Sequence, residues 1–176
     1  TSLKIEEANR QIREGKDCIE QQTGHEIQGF CYPGGHMNQP IRELVRANGF
    51  RYARTIENLR IDCSGNDFLM PTTLQFFPHT KVILCRNYFG YRHWAQRLDV
   101  LRMTLGAKNW WDRFAKISDA IAETDNILHI WGHSWEIEKN GLWDKLNLVL
   151  SRIASHQPRS LTVMEAFAVS RIGGGR

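Results

Sequence analysis

The chain has 176 residues, 41% of them hydrophobic and 24% charged, with a formal net charge of +4 at pH 7. That length can bury one real core, so a single domain over residues 1–176 is expected. No apolar stretch approaches the roughly 18–20 residues of a membrane span. The arginines (Arg42, Arg46, Arg51, Arg54, Arg60, Arg86, Arg92, Arg97) are scattered rather than massed in a stripe, so no nucleic acid partner is expected either.

In chain order, residues 2–22 read as an amphipathic helix. Ser2 can cap it, Glu6 and Glu7 favour its first turn, Ile5, Ala8, Ile12 and Ile19 recur near helical spacing, and Gly24 closes it. "EIQGFCY" (26–32) reads as a short strand. The next segment, "NQPIRELVRANG", is a second helix: Asn38 is its N-cap, Pro40 lies in its first turn, Ile41, Leu44 and Val45 share a face, and Gly49 stops it. "FRYART" reads as a second strand and "IENLRIDCSGNDFLMPTT" as an irregular loop. "TKVILC" is expected to be a buried strand. "YRHWAQRLDVLRMTLG" and "NWWDRFAKISDAIAET" have helical periodicity, "NILHIW" is a strand, "GLWDKLNLVLSRIASH" a helix, and "RSLTVMEAF" a last short strand running into a helical turn. Cys18, Cys31, Cys63 and Cys85 form no C-x-x-C pair, and buried free thiols are expected.

This alternation argues for an α/β protein with a largely parallel sheet or barrel. In such folds chemistry sits at the C-terminal ends of strands. "YPGGH" (32–36) and "WGHS" (131–134) occupy that position. In "YPGGH", backbone N–H groups beside Gly34 could form an oxyanion site, because glycine permits close approach; a tight strand-to-helix turn would demand the same glycines. His36 could touch a ligand there.

His129 and His133 form an H-x-x-x-H pair. On a strand, four residues span roughly 13 Å, so the two rings cannot share one metal ion. His129 is then a packed strand residue. His133, after Gly132 and before Ser134, should lie exposed at a rim, as a general acid or base or as a surface histidine bonded to a loop. Most of the six tryptophans are expected in the core; Trp131 and Trp135, which flank this rim, are the best exceptions and could stack on sugar rings.

The order of these pieces resembles the polysaccharide deacetylase family, metal-dependent carbohydrate esterases that remove N- or O-acetyl groups from sugar polymers. Residues 1–55 look like the segment that follows the family's H-x-x-x-H motif, in which a helix leads through "TG" to a strand ending in "FRPPYG" or "FAYPYG", then a helix. "NILHIWGHS" is similar to the family's late "LLHD" strand, and "SLTVMEAF" to its closing strand. The resemblance implies part of an irregular (β/α) barrel lacking its first strand or strands. It implies His133 as the acid that protonates the leaving amine or alcohol, and the backbone N–H near Gly34 as an oxyanion donor. Trp131 would line the acetyl-methyl pocket, with Tyr32, Trp135 and His36 completing a substrate-binding set.

The departures are specific. The family's arginine in "FRPPYG" is Cys31, and "RTIENLRID" does not reproduce the motif that orients the catalytic histidine. The family's "DD" strand and metal-binding H-x-x-x-H are not in this sequence, and are expected upstream of Thr1. Zinc or another divalent metal is therefore implied for the complete domain, with no metal ligands in this chain. The expected function is a deacetylase-like hydrolase acting on acetylated polysaccharide or oligosaccharide, this chain carrying the general-acid and oxyanion half. The alternative is a non-catalytic carbohydrate-binding relative.

Overall fold

The structure is a computed structural model and describes residues 4–62, 66–91 and 93–173. The protein is mixed and helix-rich, with short strands in two separate parallel pairs. It packs as two compact units: Thr1–Ile56 with Ser64–Met70 and Leu161–Arg176, and Glu57–Cys63 with Pro71–Ser160. No described helix is long and apolar enough to cross a membrane.

The first unit opens with helix α1 (Ile5–Thr23), which starts after Lys4; Ser2 lies outside the described residues. Arg10 bridges Glu7 and Glu14 at 2.6 and 2.7 Å, one helical turn to either side. Gly24 ends the helix as read from sequence, in the left-handed region at φ 69° with its N–H donating to the Glu20 carbonyl. Only part of the expected apolar face is covered, because Ile5 and Ile19 are each 47% exposed.

Strand β1 (Gly29–Cys31) runs parallel to β2 (Tyr52–Arg54), with Phe30 opposite Ala53. Helix α2 (Gln39–Ala47) connects them, capped by Asn38, whose Oδ1 accepts from the Ile41 N–H at 2.9 Å. Gly29 leaves room for the Tyr52 ring: a Cβ there would stand 2.3 Å from it. The core of this unit is Tyr32, Val45, Phe50, Ala53 and Phe68.

The last helix of this unit corrects the expected closing strand. Residues 163–173 form helix α8, and no strand precedes it among the described residues. The cause is legible in "TVME". The Glu165 N–H donates to Thr162 Oγ1 at 3.2 Å while the Thr162 N–H donates to the Glu165 carboxylate at 2.7 Å. That reciprocal pair is a capping box, which starts a helix. From α8, Phe167 stacks on Tyr52 at 5.5 Å.

In the second unit, β3 (Leu74–Gln75) pairs in parallel with β4 (Ile130–Trp131). Around them lie α3 (Lys81–Gly90), α4 (Trp94–Leu105), α5 (Asp112–Ile121), α6 (Ser134–Lys139) and α7 (Trp143–Ala154). "TKVILC" is thus helical and not a strand. Thr80 caps it, accepting from the Ile83 N–H, and Leu84 and Tyr88 are buried four residues apart while Val82 is 77% exposed. A short apolar run fits a strand or a buried helix equally well, and here the Thr80 cap starts a helix. The strand reading of "NILHIW" shrinks to two residues. Cys18 and Cys31 are exposed free thiols and Cys85 is half-buried, so burial fails as an expectation for the first two; Cys63 lies outside the described residues.

The core of the second unit includes Leu59, Phe76, Leu84, Val100, Phe114, Ile117 and Val149. Within it Arg97 is fully buried. Its Nε donates to Asn58 O at 2.8 Å, Nη1 to Tyr88 O at 2.6 Å, and Nη2 to Asn87 O at 2.9 Å and Asn58 Oδ1 at 3.2 Å. Replacing Arg97 with Ala strands those acceptors and opens a cavity, so a loss of more than about 3 kcal/mol is expected in urea unfolding. A loss below about 1 kcal/mol would show that the carbonyls find other partners.

Helices α5 and α7 are pinned at Asp119. Arg152 reaches both carboxylate oxygens at 3.0 Å, and His156 Nε2 lies 2.7 Å from Oδ1. Hydrogen bonds from Arg152 first and His156 second hold the Asp119 pKa below the ordinary aspartate value. A depressed folded-state pKa gives stability that is complete above the unfolded pKa, about 3.9, and is lost as pH falls through the folded value. Asp119→Asn should therefore unfold more readily than wild type at neutral pH, with the two converging as pH falls below about 4. Denaturant midpoints measured across that range check this, and a gap that persists in acid would contradict it.

Candidate functional site

In the first unit, β1 runs into a single 3-10 turn, Pro33–Gly35. Proline fixes the entry torsion, and both glycines then take positive φ, 61° at Gly34 and 71° at Gly35. The Gly35 N–H donates to Tyr32 O at 2.9 Å and the His36 N–H to Pro33 O at 3.2 Å. The Gly34 N–H takes part in neither bond, and Gly34 lies exposed at the crest. Gly35 is pressed from the side as well, since a Cβ there would stand 2.3 Å from Ile56 Cδ1.

Tyr32, expected on the ligand side of this turn, is instead a core residue, 2% exposed. Its hydroxyl donates to Phe68 O at 3.0 Å, and burial pushes its pKa up to about 12. It supports the turn from beneath. His36 is exposed beside the crest, with its Cδ2 3.0 Å from where a Gly34 Cβ would lie. Cys31 has its Sγ 3.6 Å from Arg54 Nη2.

In the second unit, β4 ends at Trp131, and Gly132 and His133 lead directly into α6. His133 holds the N-cap position with extended torsions (φ −108°, ψ 125°), so its backbone joins the helix while its ring stays outside. The Glu136 and Ile137 N–H groups both donate to its carbonyl, and Ile137 is buried, which anchors the helix. The exposed imidazole lies between two indoles. Trp131 meets it edge-on at 5.6 Å, and Trp135, itself 62% exposed, stacks on it at 5.7 Å with a 20° interplanar angle. Trp131 Nε1 is buried without a hydrogen-bond partner in the protein. The arrangement offers a titratable ring and a flat apolar surface side by side.

His129 is half-buried and its backbone is tied to Thr73: the Thr73 N–H donates to His129 O and the His129 N–H to Thr73 Oγ1, both at 2.9 Å. A catalytic zinc takes three protein ligands. Among the described residues no three His, Cys, Asp or Glu side chains gather to hold a metal, so these residues do not fit such an ion by themselves.

Helix α6 is not foreseen from the sequence, which places "WGHS" at the end of the "NILHIW" strand and gives no element to the residues between it and "GLWDKL". Its signals are weak: six residues and no side-chain hydrogen bond at the cap. The polar network behind the rim was also missed. Gln75 on β3 donates to Glu136 on α6 at 3.1 Å and faces His79 Nε2 at 3.0 Å. Gln75 and His79 are four residues apart, but Glu136 lies 61 residues from Gln75, and no local pattern joins it to them.

Residues 1–53 match the polysaccharide deacetylase family, a span that takes in α1, β1, the glycine turn and α2. This supports a relationship to that family over part of its domain. No curated protein and no solved structure matches the chain.

The turn geometry makes a prediction that does not depend on function. Gly35→Ala places a Cβ at positive φ against Ile56 and should cost about 1–3 kcal/mol of stability. Gly132→Ala, whose Cβ would meet only ordinary contacts at 3.4 Å or more, should cost less. Paired denaturant titrations of the two variants test the contrast, and equal losses would remove the case for a strained turn.

Proposed function

We propose that this chain carries elements of a polysaccharide deacetylase-like hydrolase that removes acetyl groups from N- or O-acetylated carbohydrate. The observation that carries the reading is the family match over residues 1–53, which spans the strand, glycine turn and helix named above. By the resemblance, the chain is part of an irregular (β/α) barrel.

Hydrolysis of an acetamide breaks a C–N bond. The amine leaves poorly unless it is protonated as the bond breaks, so a general acid is needed near pH 7. His133 is assigned that role: its ring is exposed, and an imidazole side chain can hold and release a proton. Trp131 is assigned to the acetyl-methyl pocket and Trp135, the more exposed indole, to stacking on a sugar face. In the first unit, the Gly34 N–H is assigned to stabilise negative charge developing on a carbonyl oxygen, with His36 beside it as a substrate contact. Tyr32 is assigned to packing under the turn. The resemblance implies zinc or a similar ion as the source of activated water, and no residue of this chain is assigned to hold it.

A second reading, a non-catalytic carbohydrate-binding relative, is favoured by one observation. The most exposed aromatic surface of the rim, Trp135, is suited to stacking whether or not turnover follows.

Acetate release from N-acetylated oligosaccharides separates the readings. The 176-residue chain alone should be inactive. Joined to a family segment bearing the metal motif it should turn over, and His133→Ala should then lower kcat by about 10²–10⁴-fold. Full activity of this chain alone, abolished by His133→Ala, would overturn the division of roles. Saturable oligosaccharide binding, weakened several-fold in Trp135→Ala but without turnover in the joined protein, would favour the binding reading.

A further inference from the structure

We propose that the second unit holds one internal water bridging His79 Nδ1 and Arg113 Nε. Both atoms are buried without a hydrogen-bond partner in the protein. Both side chains line the same small cavity, with Leu74, Phe77, Leu84 and Trp110 among its other walls. Arg113 is only 6% exposed and is held in place by Nη1, which donates to His79 O at 2.7 Å. A buried polar atom left unpaired is costly, and two beside one cavity point to a shared partner. The free space is about 10 Å³, enough for one water-sized group.

The identity of the occupant follows from counting protons along the network. Gln75 Nε2 donates to the Glu136 carboxylate at 3.1 Å, because turning the amide over would set oxygen against oxygen. The Gln75 oxygen therefore faces His79 Nε2 at 3.0 Å and can only accept, so Nε2 carries the hydrogen. Burial first, then the Arg113 charge, favour the neutral ring; Arg86 acts the same way and Glu136 opposes it. In a neutral ring protonated at Nε2, Nδ1 is a bare lone pair. The occupant must then donate to Nδ1 and accept from the Arg113 Nε–H. Water does both. A halide of that size cannot donate, and a metal cation cannot accept and would be repelled by the guanidinium.

The water completes a hydrogen-bonded path from Arg113 on α5 through His79 and Gln75 to Glu136 on α6, the helix that carries the His133 rim. This inference does not depend on the proposed function. Nitrogen-15 spectra of the histidine-labelled 176-residue chain at pH 7 test it. The expected result is an Nε2–H tautomer for His79, with the Nδ1 resonance displaced from that of a bare nitrogen toward that of a hydrogen-bonded one. A long-lived water cross-peak should also reach the Arg113 Hε. An Nδ1–H tautomer, an imidazolium at pH 7, or a bare Nδ1 without the cross-peak would each overturn it. In Arg113→Met the water cross-peak to His79 should be lost; should that variant not fold, the wild-type spectra decide alone.

Discussion

Taking a guanidinium out of water costs several kcal/mol unless its N–H groups meet oxygens held at the right distance. Arg97 meets that demand with neutral oxygens alone, three of them backbone carbonyls. Two of these, Asn87 O and Tyr88 O, belong to the last turn of α3, where carbonyls have no partner within the helix. A cation there also complements the negative end of the helix dipole. The rings of Tyr88 and Tyr91 face the guanidinium at 5.5 and 5.3 Å. One side chain on α4 thereby ends α3, fixes the chain at Asn58 and fills the centre of its unit.

The same accounting of buried polar groups explains the setting of the rim. Strands of two residues supply few ladder bonds, so β3 and β4 need other ties. They receive them from the Thr73–His129 pair at one end and from Gln75, which reaches Glu136 on α6, at the other. Helix α6 is too short to be stable by propensity. Burial of Ile137 and the bond from Gln75 hold it, and so hold the point where the His133 ring leaves the fold. In the first unit the corresponding fixed point is Tyr32, whose buried ring and bond to Phe68 O set the start of the glycine turn.

Individual residues of the candidate site were legible to different degrees. His133 was readable as exposed, because a glycine before it and a polar residue after it break an apolar run. Trp135 was readable as a surface aromatic for the same reason. Tyr32 was not readable as a core residue, because it directly precedes the Pro-Gly-Gly turn, where sequence suggests surface. Its burial depends on Phe68, 36 residues away. His79 and Arg113 carried no signal, since neither lies in a motif and their shared cavity forms only when β3 and α5 pack together.

Local chemistry specifies some helix ends. Asn38 before proline, Gly24 after a periodic run and Thr162 three residues before Glu165 each satisfy backbone groups within one turn, so neighbours in sequence suffice to specify them. The capping box was written in the chain even though the strand-like "SLTV" obscured it. The state of "TKVILC", the length of "NILHIW" and the division into two units depend instead on contacts between distant residues. An apolar run buries its side chains equally well as helix or strand, and only the surfaces it packs against make one period cheaper than the other.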